Sequence, residues 1–513
     1  MRFGAEVNDF GFVNVVSYLL VFAAAIFGLL AMMLTTRRRV WLTALLTPIA
    51  VGALLLAIFR LDRVDSEIVP KFVWRWTKAA ELPESKGAAT LAEDAFFAPR
   101  DTDYPQFLGP NADSTLPTVE VETNWSKHPP KIAWKQAIGK GWSGFVVQGN
   151  AAYTMEQRDK EEWVSCYDAD SGQMLWHYAI PGLHSHPLGG TGPRATPAIF
   201  DGRVYAQSAV NQLVCLDMRT GELVWSFEML TATKSTQADF EASVAWGRSA
   251  SPVIVDGKVL AALGGITQGG DANSTLHSLI ALDPKTGNEV WRAGSDQISY
   301  STPVVATLLG QPQILYISES TVTAHAIVDG AELWSVKWPS HSNSNANVSQ
   351  PIALDDSHVL LSKGYGGGAE LLKISRNDSS WTAETVWKSE GVLRTKFTSC
   401  VIKDGHAYGL NDGILECVNL ETGKRTWKKG RYRHGQVLLI GDTLVITAEN
   451  GSVVLVATDS NELRELASLQ VIGDVTWNTA ALSGNRLLIR NSDEAACIIL
   501  PLKTATLKDA ASD

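Results

Sequence analysis

The sequence is poor in the residues that build covalent or metal-bound frameworks. Among 513 residues it has five cysteines, which stand singly, without a CxxC pair and without a metal-type spacing to histidine. An odd, scattered set excludes a disulfide framework, and the lack of CxxCH excludes an attached c-type haem. We therefore predict that they are small apolar core residues: Cys166, Cys215, Cys400, Cys417 and Cys497.

Positive charge is also in short supply. Lysine and arginine number 44 against 54 acidic residues, so the formal net charge is -10. Nucleic-acid-binding proteins need clustered cations, so we predict no nucleic-acid partner. No GxSxG elbow for a nucleophilic serine is present either. Glycine (42) and tryptophan (17) are plentiful, which favours many tight turns and many strands.

The N-terminal region carries two long uncharged runs, Val13 to Leu34 and Val40 to Phe59. Each can cross a hydrocarbon core of about 30 Å as a helix. Arg37 to Arg39 in the short connection favour a cytoplasmic loop, which sends the rest of the chain outward. We predict two transmembrane helices over residues 1–60 and an extracytoplasmic linker over 61–103, with a short helix near Phe72 to Ala80.

From residue 104 the chain repeats a short hairpin. "LVCLDMRTGELVW" from Leu213 is followed by "LIALDPKTGNEVW" from Leu279 and "LECVNLETGKRTW" from Leu415. Strand-like runs before each hairpin, joined by Asp-Gly turns, complete a four-stranded unit. The closing position of the hairpin is occupied by Trp176, Trp225, Trp291, Trp334, Trp387, Trp427 and, we predict, Leu466.

The number of units is eight. Their first strands are predicted to begin near Trp142, Arg194, Arg248, Tyr300, Asn347, Lys396, His434 and Trp477. The last unit lacks a fourth strand, and "KIAWKQA" with Trp134 precedes the first unit without partners. The fold class predicted is therefore all-β: an eight-bladed propeller with four-stranded antiparallel blades over 104–502, closed by that strand, with a tail over 503–513.

The motif D-x-x-T-G-x-x-x-W resembles the repeat of the pyrroloquinoline-quinone (PQQ)-like β-propeller family. The segment "YPQFLGPN", Tyr104 to Asn111, is similar to the opening segment of many bacterial members. The resemblance implies the propeller fold over about four-fifths of the chain. It leaves function open, because the family includes quinoprotein dehydrogenases and non-enzymatic factors such as the outer-membrane assembly lipoprotein.

One face of the predicted disc holds nearly all variation in loop length. Long insertions confined to one face of a repeat protein often mark its binding face. A protein partner is therefore predicted on this variable-loop face; the alternative is drift in loops that tolerate insertion cheaply. The loops are Pro181 to Pro193, Met229 to Gly247, Gly264 to His277 and Pro339 to Ala346.

The same face receives the beginnings of all eight first strands, close to the axis. Convergent Arg and Lys side chains can hold a carboxylate or phosphate by paired hydrogen bonds. The alternative is that they pair with acids of neighbouring blades and hold the disc together. The predicted axial set is Trp142, Arg194, Arg248, Tyr300, Asn347, Lys396, Arg433, His434 and Trp477.

Three functions remain open. We predict a membrane-anchored extracytoplasmic scaffold on the periplasmic side of the cytoplasmic membrane, without cofactor or metal. The first alternative is a PQQ-dependent dehydrogenase with Ca²⁺, in which the cations would meet the quinone carboxylates and Trp142, Trp246 or Trp477 would stack on its plane. The adjacent-cysteine pair, the calcium-binding Glu and Asn and the catalytic Asp that the resemblance implies match no segment here. The second alternative is a sensor for a small anion or sugar.

Overall fold

The structure, a computed structural model, describes residues 10–35, 38–77, 80–84, 94–265, 276–378 and 380–503. The chain divides into two compact units. The first is Met1–Glu81 with His186–Gly190, and the second is Leu82–Ser185 with Thr191–Asp513. The predicted loop tip at Arg37, most of the Gly264 to His277 loop and the tail from residue 504 lie outside the described residues.

The first unit contains helix α1, Phe10–Thr35, helix α2, Arg38–Ile58, and a β-hairpin of Phe59–Val64 and Pro70–Trp74. Among the described residues, one helix is long and apolar enough to cross a membrane: Val40–Ile58, with a mean hydropathy of 2.2. None of this apolar segment is buried inside the protein. The short helix predicted near Phe72 is wrong. The alternating residues of Pro70–Trp74 instead pair with the strand that follows α2.

The second unit is an eight-bladed propeller of four-stranded antiparallel blades, as the sequence predicts. From the axis outward, the blades contain these strands: Val146–Gln148, Ala151–Arg158, Glu161–Asp168 and Met174–Pro181 in blade 1; Ala198–Phe200, Arg203–Gln207, Gln212–Asp217 and Leu223–Glu228 in blade 2; Val253–Val255, Lys258–Gly264, His277–Leu282 and Glu289–Ala293 in blade 3; Val304–Leu308, Gln311–Ile317, Thr321–Ala326 and Glu332–Lys337 in blade 4; Ile352–Ala353, His358–Lys363, Gly368–Asn377 and Ser380–Ser389 in blade 5; Val401–Lys403, His406–Asn411, Ile414–Asn419 and Lys424–Arg431 in blade 6; Gln436–Ile440, Thr443–Thr447, Ser452–Ala457 and Glu465–Gln470 in blade 7; Ala481–Ser483, Arg486–Arg490, Glu494–Ile499 and Lys131–Ala137 in blade 8.

Shorter elements lie outside this pattern. They are the helices Met229–Ala232 and Gln237–Ser243, a 3-10 turn at Asp94–Phe96, the paired segments Ser185–His186 and Gly190–Thr191, and Thr115–Leu116, which adds a parallel strand to blade 7. Sequence reasoning missed this last strand, because two residues carry no periodicity.

The two extremities of the propeller close the ring. Trp134 of Lys131–Ala137 pairs with Cys497, so the chain before blade 1 supplies the fourth strand of blade 8. Buried Arg490 fixes the seam by donating to the Gly139 and Met155 carbonyls, both at 2.8 Å, and to the Thr154 hydroxyl at 2.9 Å. Closure leaves no bare sheet edge at the junction.

The repeated tryptophan and glycine lock one blade to the next. The Trp225 indole donates to the Pro284 carbonyl at 3.0 Å, inside the T-G turn of the following blade. Gly287 of that turn has φ +72, and a Cβ there would lie 2.7 Å from the Trp225 ring. The same contact joins Trp134 to Gly172, Trp176 to Gly221 and Trp387 to Gly423. The motif is therefore an interblade contact at these junctions, whereas Trp334 donates to the Gln313 side chain of its own blade at 3.0 Å.

The exception in blade 7 follows from closure. Ala467 pairs with Leu455 in the register that tryptophan holds elsewhere, and Leu466 is the bulged residue beside it, so the predicted position is wrong by one. Blade 8 takes its fourth strand from elsewhere in the chain and has no T-G turn to receive an indole. Trp125, from the segment before the fourth strand of blade 8, packs in the hydrophobic cluster that Leu466 and Ala467 contact.

Four of the five cysteines also belong to the repeat. Cys166, Cys215, Cys417 and Cys497 lie directly opposite Trp176, Trp225, Trp427 and Trp134 in the third strands. All five are buried and unpaired. A small apolar side chain there leaves room for the neighbouring indole.

Hydroxyl groups link several neighbouring blades close to the axis. The backbone N–H of Gly144 donates to the Thr196 hydroxyl at 2.9 Å, that of Thr196 to Ser251 at 3.0 Å, and that of Ser251 to Thr302 at 3.0 Å. Gln350 repeats the bond with Ser399 at 3.2 Å. These residues precede the first strands, so at four of the eight blade junctions a hydroxyl of one blade satisfies a buried N–H of its neighbour.

Candidate functional site: an aromatic and cationic axial ring

The predicted axial residues lie just before the first strands. The strands begin two to five residues later than predicted, for example at Ala198 rather than Arg194 and at Ile352 rather than Asn347. The predicted residues therefore occupy the segments that enter the blades, on the variable-loop face.

One side of the axis is lined by a chain of aromatic rings. Trp142 and Trp477 have ring centroids 4.7 Å apart, and Trp477 lies at the same distance from Phe397. Phe397 meets His434 edge-on at 5.6 Å. These four residues come from blades 1, 8, 6 and 7.

A second chain lines the other side. Trp246 stacks on Tyr300 at 5.2 Å and on Tyr365 at 6.1 Å. The Lys396 ammonium lies 5.1 Å from the Tyr365 ring centroid, within cation–π range, and joins this chain to its neighbour Phe397. The backbone N–H of Trp142 donates to the carbonyl of Pro193, the residue before Arg194, at 2.8 Å. We call Trp142, Arg194, Trp246, Tyr300, Tyr365, Lys396, Phe397, His434 and Trp477 the axial ring; every blade contributes to it.

The ring has a positive side. His434 is buried, and its pKa lies well below the usual value because of burial, with further contributions from Lys396, Arg431 and Arg433. This imidazole is therefore neutral at physiological pH. Three cations act on one group in a protein with a net charge of -10.

The Arg194 side carries a buried carboxyl group. Burial lowers the pKa of Arg194 to about 10. Burial also raises the pKa of Glu162 to about 7, although the Ala209 N–H at 2.9 Å and Arg194 favour the charged carboxylate. Glu162 therefore titrates near neutral pH.

Three predicted members lie outside the ring: Arg433, whose charge contributes to lowering the pKa of His434, and the two buried residues Arg248 and Asn347. Arg248 is 1% exposed and donates to the carbonyls of Val210 at 2.8 Å and Leu263 at 2.6 Å, with Phe240 4.3 Å below its guanidinium. Asn347 donates to Ser318 at 2.9 Å. Both side chains hold the backbone in place. Arg248 has neither of its predicted roles, because its guanidinium binds backbone carbonyls instead of an anion or an acidic residue.

The loops of this face are tied to one another. The Tyr300 hydroxyl accepts the Trp246 N–H at 3.1 Å and donates to the Ser342 carbonyl at 2.8 Å. The Asn343 side chain accepts from the Ala245 N–H at 2.8 Å and donates to the Ala242 carbonyl at 2.7 Å. The insertions Met229 to Gly247 and Pro339 to Ala346 therefore form one surface.

The opposite end of the axis is crossed by the segment from Tyr104 to Leu116. It pairs with the first strands of blade 1 through Tyr104 and Val147 and of blade 7 through Leu116 and Ile440. The Pro105 carbonyl accepts the Ile199 N–H of blade 2 at 2.8 Å. These contacts lie at the far ends of the first strands, so the segment forms a floor beneath the axial ring.

The acidic residues that the structure describes are not grouped in a way that suits a bound Ca²⁺. Calcium takes six to eight oxygen ligands, with carboxylates prominent among them. Within the described ranges, no three His, Cys, Asp or Glu residues are grouped closely enough to hold a metal ion. Glu162 and Glu449 instead accept the backbone N–H groups of Ala209 and His434.

Sequence reasoning missed Tyr365 and Phe397. Tyr365 stands in "GYGGGAE", which has no strand pattern, and its φ of 53 places it in a tight turn. Phe397 follows Lys396 directly, and only the structure shows both side chains reaching the axis. For Phe397 the available signal was its position directly beside a predicted cation, Lys396.

The fold and the ring define a quinoprotein-like β-propeller. A family model described as outer membrane protein assembly factor BamB matches residues 160–429. The chain belongs to this PQQ-repeat family.

Curated relatives match shorter stretches. The quinohemoprotein alcohol dehydrogenase ADH-IIG of Pseudomonas putida is 30% identical over 270 residues, covering 52% of this chain and 29% of that protein. The dehydrogenase subunit of a quinone alcohol dehydrogenase from Gluconobacter oxydans (strain 621H) is 30% identical over 169 residues, 32% of this chain and 20% of that protein. The matches thus span less than a third of those relatives.

Among solved structures, a europium-containing methanol dehydrogenase superposes with a TM-score of 0.55 at 12% identity, covering 75% of this chain and 89% of the other. At that identity the likeness concerns the fold alone.

Proposed function

We propose that this protein is a membrane-anchored, extracytoplasmic propeller that holds a protein partner on its variable-loop face and catalyses no reaction. The observation that carries this proposal is the Tyr300 clasp, which joins the insertions between blades 2 and 3 and between blades 4 and 5. Loops under no functional constraint have no reason to share a buried hydrogen-bonding group. Membership of a family described by an assembly factor supports the same conclusion.

The charge of the axial ring indicates the chemistry of the partner. Lys396 belongs to the axial ring, and its charge together with those of Arg431 and Arg433 acts on His434. Aromatic and arginine side chains dominate the energetics of many protein interfaces. An acidic segment that carries an aromatic or aliphatic side chain fits this surface best.

The anchor is the pair of helices α1 and α2. Helix α2 contains the apolar span Val40–Ile58, and the part of α1 from Tyr18 to Leu34 is apolar as well. We propose that both cross the cytoplasmic membrane, with Arg37 to Arg39 on the cytoplasmic side and the propeller in the periplasm.

The test is a charge reversal with a matched control. Lys429→Glu/Arg431→Glu alters two exposed cations at the variable-loop end of the fourth strand of blade 6, and Lys285→Glu/Lys424→Glu alters two exposed cations at the T-G turns of the opposite face. Both variants change the net charge equally. Cross-linking in intact membranes and mass spectrometry should recover a partner with wild type and the control but not with the first variant. Equal recovery with both variants, or no partner with wild type, contradicts the proposal.

The second candidate is a PQQ-dependent dehydrogenase, and the curated relatives favour it. Lys396 and Arg194 with the stacked rings suit a planar carboxylate, but the described acidic residues do not suit its Ca²⁺. Purified protein mixed with PQQ and Ca²⁺ should show no bound quinone spectrum and no dye reduction with alcohols. A tight, active complex would replace the scaffold with this candidate.

A further inference from the structure

The hairpin that follows helix α2 has one apolar face. In its register Phe59 pairs with Trp74 and Leu61 with Phe72, so these four side chains lie on the same side of the ribbon. Phe59 and Trp74 are in contact, with ring centroids 4.7 Å apart.

This face is largely open. Leu61, Phe72 and Trp74 are 49%, 53% and 55% exposed, and Trp76, next to Trp74, is 70% exposed. A two-stranded hairpin is marginally stable in water, and its apolar face needs a covering surface.

The hairpin is fixed to the end of the apolar helix. Its first strand begins at Phe59, the residue after the last residue of α2. Arg75 returns to that end: its N–H donates to the Ile58 carbonyl at 2.9 Å and its Nε to the Leu56 carbonyl at 2.7 Å. The ribbon therefore starts where the span Val40–Ile58 leaves the hydrocarbon.

Both ends of the ribbon carry charge. Exposed Arg60 and Arg75 lie at the base, beside the helix end. Arg63 and Lys71 pair near the distal turn, where the Asp65 carboxylate accepts the N–H groups of Glu67 and Val69. Cations next to a membrane span attract anionic headgroups, and tryptophan prefers the headgroup layer. The acidic turn is suited to water.

We propose that the hairpin Phe59–Trp74, with Trp76, is an interfacial element whose apolar face, Phe59, Leu61, Phe72 and Trp74, lies in the headgroup layer of the bilayer that α2 crosses. The inference rests on the proposed membrane anchor. The bilayer surface is its occupant because the apolar face is continuous with the span, and exposed Arg60 and Arg75 lie where the two meet. The hairpin sets the position of the following residues relative to the membrane.

The test uses single-cysteine labelling of the full-length protein in vesicles of phosphatidylcholine and phosphatidylglycerol. All five native thiols are buried, so an introduced cysteine reacts selectively with an environment-sensitive fluorophore under native conditions. Phe72→Cys reports the apolar face, Glu67→Cys the distal turn and Leu54→Cys the span. Trp76→Cys is a second reporter should Phe72→Cys fail to fold.

The expected result is blue-shifted emission at positions 72 and 76, with a several-fold lower quenching constant for aqueous iodide than at position 67. Equal quenching at positions 72, 76 and 67, with position 54 protected, overturns the interfacial hairpin and leaves the anchor intact. Quenching at position 54 equal to that at 67 overturns the anchor itself, and with it the inference.

Discussion

The Tyr300 hydroxyl accepts the backbone N–H of Trp246 at 3.1 Å, while its ring stacks on the Trp246 indole at 5.2 Å. One side chain of blade 4 thus fixes both the backbone and the ring of a residue that enters blade 3. Because the same hydroxyl donates to Ser342, the order of the variable-loop face depends on it.

Tyr300→Phe should loosen this face while retaining the ring stack. It leaves the Trp246 N–H and the Ser342 carbonyl without their partner, at a cost of about 1–3 kcal/mol. Hydrogen exchange should accelerate in Met229 to Gly247 and Pro339 to Ala346. The control is Tyr153→Phe, which removes a hydroxyl that donates to Met218 at 2.9 Å, away from these loops. Unchanged loop exchange in Tyr300→Phe would show that the clasp does not order the face.

Gly287→Ala should disrupt one interblade lock. The new Cβ would lie 2.7 Å from the Trp225 ring, and the alanine backbone would have to adopt φ +72. Gly257→Ala imposes a similar φ of +65 with no atom within 4 Å, so it measures the backbone cost alone, about 1–2 kcal/mol. We expect a further loss of about 1–3 kcal/mol in Gly287→Ala by denaturant unfolding. Equal losses would mean that the indole moves aside freely.

Glu162→Gln should change the pH dependence of stability. The folded-state pKa of Glu162 is about 7, above its ordinary value of 4.5, so folding favours the protonated form. Its contribution is fully present below pH 4.5 and is lost as pH rises through about 7. Wild type should therefore lose stability relative to Glu162→Gln between these values, and the difference should level off above them. Thermal unfolding from pH 4 to 8 measures it. Parallel curves would show that Glu162 titrates as in the unfolded chain.

Arg490→Met should weaken the seam between blades 8 and 1. The buried Gly139 and Met155 carbonyls would each lose their donor, at a cost of about 1–3 kcal/mol per carbonyl. The strand Lys131–Ala137 should then exchange its amide hydrogens faster. Arg219→Met, which removes an exposed ion pair with Asp94, is the control and should cost about 1 kcal/mol or less. Equal effects would contradict a structural role for the buried guanidinium.

The repeat made most of the propeller predictable. Tryptophan, glycine and turn residues recur because five of the eight blades meet their neighbour through the same contact. The blade count and the closing strand with Trp134 therefore follow from the sequence. The shift from Leu466 to Ala467 was out of reach, because the bulge that sets the register has no signature of its own. The floor, Tyr104 to Leu116, was equally hidden, since it contains one two-residue strand.

The location of the site was more predictable than the residues that form it. The entrance to each first strand is near the axis, which brought Trp142, Lys396, His434 and Trp477 to one region. The direction of a long side chain was not predictable: Arg248 turns back to the carbonyls of Val210 and Leu263. Tyr365 reaches the axis from a turn, and turn residues have no fixed position in a blade.

The pairing of Trp134 with Cys497 imposes an order on biogenesis. The strand Lys131–Ala137 is among the first parts of the propeller to be synthesised, yet its partner is among the last. Until the C-terminal hairpin is synthesised, the nascent ring stays open. Its early strand then has an unpaired edge, which favours aggregation. Truncation near the C-terminus would therefore destabilise the strand Lys131–Ala137 as severely as the C-terminal blade.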